Sequence, residues 1–486
     1  MQFDPDAVFE IKRRSLGGKL GRLRTKSGVL DTPALFPVID VKRQLVQMGL
    51  VKQLGFNGVI TNAYLLLKRH EPVNNIHDYI GFDKVVMTDS GGYQILEFGG
   101  IEASQESVVR FQEAIGVDIG VMLDFPTGGY ASREHAELTV QKTLENAHAF
   151  GKQRSREDIL WVGPVQGGAY LDLVETCAKS MASLPFHIHA VGSPTEFLEG
   201  YQFEKVLEIL AAARAQIPAS RPLHLFGAGH PAVLPFMVAL GADLFDSASY
   251  ALYARDDRYM TPFRTYRLKD VYEFPCKCPA CRSYRPDELR QEEKAQRMEQ
   301  LAAHNLHVLA EEMSRIRQAV YHGTLWDLVQ TKAYAHPALY RAFSYILRHK
   351  RLFSRHFFVS GLGRSGIFSL GTERPELYAV RRRIKEYILS SPHRRVAIIE
   401  PGESHSAPVT EFDLVLELDA VYGLVPVELR EVYPIRHTEA STSAIRIERI
   451  AKLLQALSPD EAVVFSRDLY RRLSEGAPDM NFLHLK

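Results

Sequence analysis

Eight short runs rich in β-branched and aromatic residues recur between residues 34 and 250, separated by stretches of helical character. They predict an α/β fold, a (β/α)8 TIM barrel with a smaller C-terminal α/β domain behind it. Two observations favour closure into a barrel. About 250 residues is the usual span of that architecture. The runs also end in polar residues or glycine, as strands do when their C-terminal ends gather at one mouth. A doubly wound open sheet is the alternative that the same alternation allows.

In order, the runs are "ALFPVID" from residue 34, "GVITNAY" from 58, "VVMTDSGG" from 85, "IGVMLDF" from 119, "ILWVGPVQGG" from 159, "HIHAVGS" from 187, "LHLFGAG" from 223 and "ADLFDSAS" from 242. Their endings bring Asp89, Asp124, Gln166, Gly192, Gly227 and Asp246 to strand termini. A single Asp there is ordinarily a helix N-cap, because its carboxylate accepts the first helical amides. Three Asp and one Gln on separate strands exceed what capping requires. Carboxylates sharing one mouth permit acid/base work, metal binding or covalent catalysis, and spacing does not choose among these. Gly91 and Gly92, following Asp89 and Ser90, remove side chains where a ligand could approach.

Composition narrows the class. The 486 residues are 46% apolar and 24% charged with a net charge of +1, which is ordinary for a globular protein and excludes a uniformly basic nucleic-acid coat. Neither a membrane-spanning apolar run nor a signal peptide is apparent, so no membrane partner and a cytoplasmic location are expected. Of the four cysteines, three crowd into "CKCPAC" at 276–281, a poor disulfide framework and a better metal site. The fourth, Cys177, reads as a small buried side chain.

At this point the motifs carry a resemblance. "TDSGGYQ" at 88, "LDFPTG" at 123, "PVQGG" at 164, "AVGSP" at 190, "HLFGAGHP" at 224 and "GADLFDSASYALYARDDRYMT" at 241 resemble, in the same order, the motifs of the tRNA-guanine transglycosylases. The likeness extends to about residue 320 and is nearest the archaeal branch. It implies exchange of a guanine at position 15 in the D loop of tRNA for 7-cyano-7-deazaguanine, the first step toward archaeosine on the tRNA. Asp246 resembles the carboxylate that attacks the anomeric carbon, and Asp89 the partner that shuttles protons to guanine and from the incoming base. The residues alone leave the assignment within that pair open. Asp124 and Gln166 resemble the groups that hydrogen-bond the heterocycle, with Ser90 beside them and the backbone from Ala190 to Gly192 closing the pocket. Such a reaction retains the sugar by double displacement through a covalent ribosyl-enzyme, and the target base must leave its stack.

The thiols Cys276, Cys278 and Cys281 suit one tetrahedral zinc ion inserted after the eighth strand, and they lack a fourth ligand. His304 and His307 share a face of a helix expected from about 285 to 318, so periodicity does not separate them. The family pattern, with the ligand just before Asn-Leu, selects His304. A closed shell of this kind makes the zinc structural.

The expected division is a catalytic barrel over 1–330, including the zinc site, and an accessory domain over 331–486. From Arg341 to Arg395 there are 13 Lys or Arg against 3 acids, and from Glu400 to Glu431 there are 8 acids against 1 base. The basic stretch, with "RHKR" at 348 and "RRRIK" at 381, is a candidate for tRNA phosphate contact. "RRVAIIE", "DLVLELDA" and "EAVVFSRDLY" predict strands of the second domain, and "GLGRSG" at 361 a turn. No segment resembles the PUA module expected of full-length archaeal members, so the expectation is either a separate PUA-containing protein as partner or tRNA binding by the barrel and accessory domain alone. A homodimer is the family expectation. Competing readings are a paralogue, a transglycosylase acting on another tRNA position or on DNA, a metal-dependent barrel hydrolase and an RNA-binding scaffold.

Overall fold

The computed structural model describes residues 8–69, 72–92, 103–192, 194–354, 366–369, 373–401, 411–440, 447–476 and 482–484. "GLGRSG" and the residues following Gly92 in the first Asp motif lie largely outside that set. The chain forms two compact units, Met1–Tyr345 and Ile346–Lys486.

Three antiparallel strands come first, β1 (Phe9–Ser15), β2 (Gly18–Thr25) and β3 (Gly28–Thr32). Charged residues along "EIKRRS" and "KLGRLRT" hid this small sheet from a reading by apolar runs. Eight parallel strands follow: β4 (Ala34–Pro37), β5 (Gly58–Asn62), β6 (Val85–Asp89), β7 (Ile119–Val121), β8 (Leu160–Val165), β9 (Ile188–Val191), β10 (Leu223–Leu225) and β11 (Leu244–Ser247). Each lies within one of the eight runs read from the sequence. Their spatial order is β4-β11-β10-β9-β8-β7-β6-β5, and a parallel bridge between Val38 and Ile60 brings the two ends together. The Ile39 amide donates to the Ile60 carbonyl at 2.7 Å and Thr61 Oγ1 to the Ile39 carbonyl at 2.9 Å, so the sheet closes as a barrel.

The interior is a packed core rather than a channel. Phe36, Ile60, Met87, Val121, Val162, Ile188 and Leu244 meet there, and Phe9, Leu23 and Leu30 of the first sheet join the same cluster, plugging the N-terminal end. At that end Lys19 Nζ pairs with the fully buried Asp243 at 2.8 Å. Burial pushes the Lys19 ammonium down to about 8 against the opposing pull of Asp243, as a buried pair with a structural duty requires. Stability residues therefore occupy the bottom of the barrel, leaving the top for chemistry.

After the barrel comes a small hairpin, β12 (Arg258–Met260) with β13 (Thr265–Arg267). The single helix expected from about 285 is two helices, Pro286–Gln291 and Lys294–His322, because Glu292 and Glu293 adopt extended backbone between them.

The second unit carries β14 (Ile367–Ser369), β15 (Arg395–Ile399), β16 (Leu414–Asp419), β17 (Gly423–Pro426), β18 (Thr438–Ala440), β19 (Glu461–Val464) and β20 (Phe482–His484). Five of them form a sheet in the order β17-β16-β15-β19-β20, parallel except for the β16–β17 pair, and β14 pairs with β18. Leu377, Val380, Ile384 and Ile388, on one face of the helix Pro375–Ile388, pack with Ile398, Leu416 and Val464.

Candidate active site and metal-binding group

All the strand-terminal candidates lie at the C-terminal end of the barrel. Asp89 is the last residue of β6, and its ladder partner is Asn62, the last of β5. Asn62 caps the helix Ala63–Lys68 by accepting the Leu65 amide on Oδ1 at 2.9 Å. That bond orients the side-chain amide, so Nδ2 donates to Asp89 Oδ2 at 3.0 Å. Burial is the main cause that pushes the Asp89 carboxyl up to about 7; the charges of Asp124 and Asp246 add to it, and the Gly91 and Ser90 amides oppose it.

Asp124 follows β7 on a backbone pinned from both sides. Leu123 donates its amide to Gln105 and its carbonyl accepts from Asn146, while the Phe125 amide donates to Thr143. Gln166, directly after β8, accepts the Thr127 amide on Oε1 at 3.1 Å, which turns Nε2 toward Asp124 Oδ2 at 2.5 Å. Burial raises the Asp124 carboxyl to about 6 against the pull of Gln166 and Ser90. The Ser90 hydroxyl is fully buried near Asp124 and makes no well-formed hydrogen bond of its own among the described residues.

Two glycines shape this pocket by close packing. A Cβ on Gly192 would stand 2.1 Å from Gln166 Nε2, and one on Gly92 would stand 2.3 Å from Asp124 Oδ1. Gly91 has φ +98° and admits no Cβ because Tyr64 would lie 2.3 Å away. The space that Gly91 and Gly92 vacate is thus occupied by the protein's own side chains, a tighter use than the open approach expected from the sequence. Ala190 stands apart: it lies inside β9, buried in the barrel core, with Pro164 and His224 as its ladder partners.

Asp246 comes from β11. Its Oδ1 accepts the Gly227 amide at 2.9 Å and lies 2.8 Å from His224 Nε2. His224 is fully buried on β10, with the rings of Phe36 at 6.2 Å and Phe226 at 4.5 Å. Asn62 and His224, the neighbours that aim the two carboxylates, escaped sequence reasoning. Both stand in quoted runs, and only strand register brings them against Asp89 and Asp246.

Beyond the barrel, Cys276, Cys278, Cys281 and His304 form a group whose ligand atoms all lie within 4.8 Å of one another. His304 Nδ1 is 3.3 Å from Cys281 Sγ and 3.5 Å from Cys278 Sγ. Ligands about 3.5–3.8 Å apart are what a tetrahedral ion with bonds of about 2.0–2.3 Å requires. His304 Nε2 lies 2.8 Å from the Met260 carbonyl, which can only accept, so Nε2 carries the proton and the Nδ1 lone pair faces the thiols. Tyr259 stacks on the imidazole at 3.9 Å and fixes the ring plane. The donor set can hold a metal ion.

A barrel mouth that gathers three carboxylates is equipped for acid/base and nucleophilic chemistry, which defines an enzyme of the (β/α)8 class with a Cys3His group beyond its last barrel strand. The chain belongs to the tRNA-guanine transglycosylase family: the family model described as TGT, queuine tRNA-ribosyltransferase, matches residues 15–338. A protein from Aeropyrum pernix named tRNA-guanine(15) transglycosylase is 39% identical over 483 residues, covering 96% of this chain and 94% of that protein. One of the same name from Pyrobaculum aerophilum is 42% identical, with 89% of this chain and 90% of that protein covered. The Methanocaldococcus jannaschii protein of that name is 38% identical over 89% of this chain but 68% of its own length. No described helix is long and apolar enough to cross a membrane.

Proposed function

We propose that this protein is a tRNA-guanine(15) transglycosylase that replaces guanine 15 in the D loop of tRNA with 7-cyano-7-deazaguanine. The observation that carries this reading, beside the names of its relatives, is three carboxylates at one mouth in three different environments.

Asp246 Oδ1 is committed to Gly227 and His224, so attack on C1′ of the ribose falls to Oδ2. The C1′–N9 bond breaks, its electron pair passes to the departing guanine, and a new C1′–O bond holds the sugar. Asp89, poised at about 7, delivers the proton that the guanine takes and then accepts the proton of the incoming base. The N9 atom of that base attacks C1′ and releases Asp246, so no external energy source is needed. Asp124 accepts from the donors on the purine pairing edge, with Gln166 holding it in place. Ser90 offers its unmatched hydroxyl to the same base, and the Gly192 backbone closes the pocket around Gln166. Ala190 contributes its position in β9 rather than a group at the mouth.

Zinc is the metal we assign to the Cys3His group, because three thiolates and one imidazole in a closed tetrahedron match its preferences. It would fasten the segment after β13 to the helix Lys294–His322. The experiment is exchange of radiolabelled guanine into tRNA by wild type and by Asp246→Ala. Exchange by wild type and none by the variant is expected; no exchange by wild type defeats the reading.

A further inference from the structure

Two exposed tyrosines stand on the βα connections at the mouth. Tyr130 lies on the segment that carries Asp124, between β7 and the helix Arg133–Gln153, and is 67% exposed. Tyr201 follows β9, between the helices Thr195–Glu199 and Phe203–Gln216, and is 54% exposed. The two segments meet: Gln202, next to Tyr201 in the chain, donates through Nε2 to Tyr130 Oη at 2.5 Å, and the Tyr130 and Phe197 rings pack edge to face at 5.5 Å.

The backbone at Tyr201 is unusual. Gln202 donates its amide to the Phe197 carbonyl at 2.8 Å and Tyr201 donates to the Leu198 carbonyl at 3.2 Å, the paired bonds of a Schellman helix ending. In that motif Tyr201 occupies the left-handed position, at φ +56°, where glycine is the favoured residue. Gly200 sits one place too early to relieve it. A bulky residue held there at a cost in stability, with its ring turned to solvent, marks a displayed side chain. His336 extends the surface, its ring 5.0 Å from that of Tyr201, and the exposed Arg264 bonds to the adjoining Ala335 carbonyl at 3.2 Å.

We propose that Tyr130 and Tyr201 form a stacking platform for an unpaired nucleobase of the RNA next to the one drawn into the pocket. This rests on the transglycosylase reading above. Extrusion of one base leaves its neighbours unstacked, and an aromatic face at the rim replaces the lost stacking without reading sequence. Arg264 supplies a cation beside the rings for the backbone phosphate. Phosphate contact alone would need lysines and arginines at the rim rather than tyrosines, and a protein partner would not require a position beside the Asp124 loop.

The test measures guanine exchange into an unmodified tRNA transcript by the full chain carrying Tyr130→Ala, Tyr201→Gly or both. Each single change is expected to raise KM for tRNA at least about fivefold, the loss falling on KM for the RNA rather than on kcat. Tyr130→Phe and Tyr201→Phe should restore most of it, because stacking needs the ring and not the hydroxyl. The salt dependence of binding should keep its slope, since no counterion is released. Tyr201→Gly should also shift Tm upward by removing the left-handed strain. A Tyr201→Gly protein with lowered Tm and wild-type KM makes the ring a packing element and overturns the proposal. So does a change in oligomeric state with KM intact, which would make the patch a protein interface. Wild type that exchanges no guanine defeats the transglycosylase reading instead.

Discussion

His224 Nε2 and Asp246 Oδ1 lie 2.8 Å apart, on the oxygen that also receives the Gly227 amide. The imidazole is wholly buried, with the rings of Phe36 and Phe226 at 6.2 and 4.5 Å, so the carboxylate is held by a ring shut off from water. Replacing His224 with Phe should lower the rate of covalent adduct formation about 10- to 150-fold, the value of a hydrogen bond to a charged acceptor. His224→Gln, whose amide nitrogen reaches the place of Nε2, should recover part of it. Denaturing gels of the tRNA adduct measure both, with Asp246→Ala forming none. An adduct with Asp246→Ala but none with Asp89→Asn would exchange the two assignments.

Asp89 predicts a pH effect on stability. Its carboxyl is raised from 3.8 to about 7 in the fold, so between those values the folded state binds more protons than the unfolded one. Its contribution is present in full below the unfolded value and is lost as pH rises through about 7. Asp89→Asn should therefore flatten the fall in stability toward alkaline pH and be more stable than wild type near pH 8 by about 1–3 kcal/mol. Urea midpoints at about pH 5 and about pH 8 decide it. A variant that tracks wild type across the range would place Asp89 in a wetter setting than described.

Gly192→Ala should displace Gln166, since the added Cβ would come within 2.1 Å of Nε2. Gln166 would then release both Asp124 and the Thr127 amide. The expected result is a rise in KM for the base of about 5- to 150-fold, the cost of leaving such groups unmatched. Equal KM values in the two proteins would mean that the pocket has room that the geometry denies.

The Cys3His group predicts a metal-dependent fold. Cys278→Ser or His304→Ala should reduce bound zinc and destabilise the region after the barrel by more than about 2 kcal/mol, with stability falling before chemistry does. Elemental analysis of protein purified without chelator, followed by thermal melts, reports both quantities. Protein that contains no zinc, or a His304 variant that binds it normally, would refute the assignment.

Within the second unit the three adjacent arginines divide. Arg381 donates through Nε and Nη2 to the Val421 carbonyl at 3.0 and 2.7 Å, and burial pushes the pKa of its guanidinium down, so it serves the fold. Arg382 and Arg383 are exposed, with Arg382 3.5 Å from Glu386 on the same helix. Arg382→Ala with Arg383→Ala should weaken tRNA binding and reduce the salt slope by about 1.5. Arg381→Ala should instead lower the melting temperature. Salt titrations of tRNA affinity separate the two, and an unchanged slope in the double variant would leave those arginines as a solvated face.

The amino-acid sequence by itself determined the eight strands and the strand ends that carry Asp89, Asp124, Gln166 and Asp246, while closure of the sheet into a barrel rests on the bridge between Val38 and Ile60. Each strand end is a local property: a run of apolar side chains with a polar residue where it stops. The close C-x-C-x2-C array was equally legible, because its spacing is short enough to be read without a fold. Tertiary structure decided what no local pattern encodes. Register set Asn62 beside Asp89, and the β10 and β11 neighbourhood set His224 against Asp246. The orientation of His304, with Nε2 on Met260 and Nδ1 toward the thiols, depends on a carbonyl 44 residues away. The sheet that plugs the barrel was hidden because its strands are charged on their outer faces. Arg381 reads as surface in its basic run, and a carbonyl 40 residues distant, not its own neighbours, draws it inward. Hydrophobic periodicity records which residues leave water; hydrogen-bond partners and the aim of a carboxylate are fixed only when distant strands are brought into register.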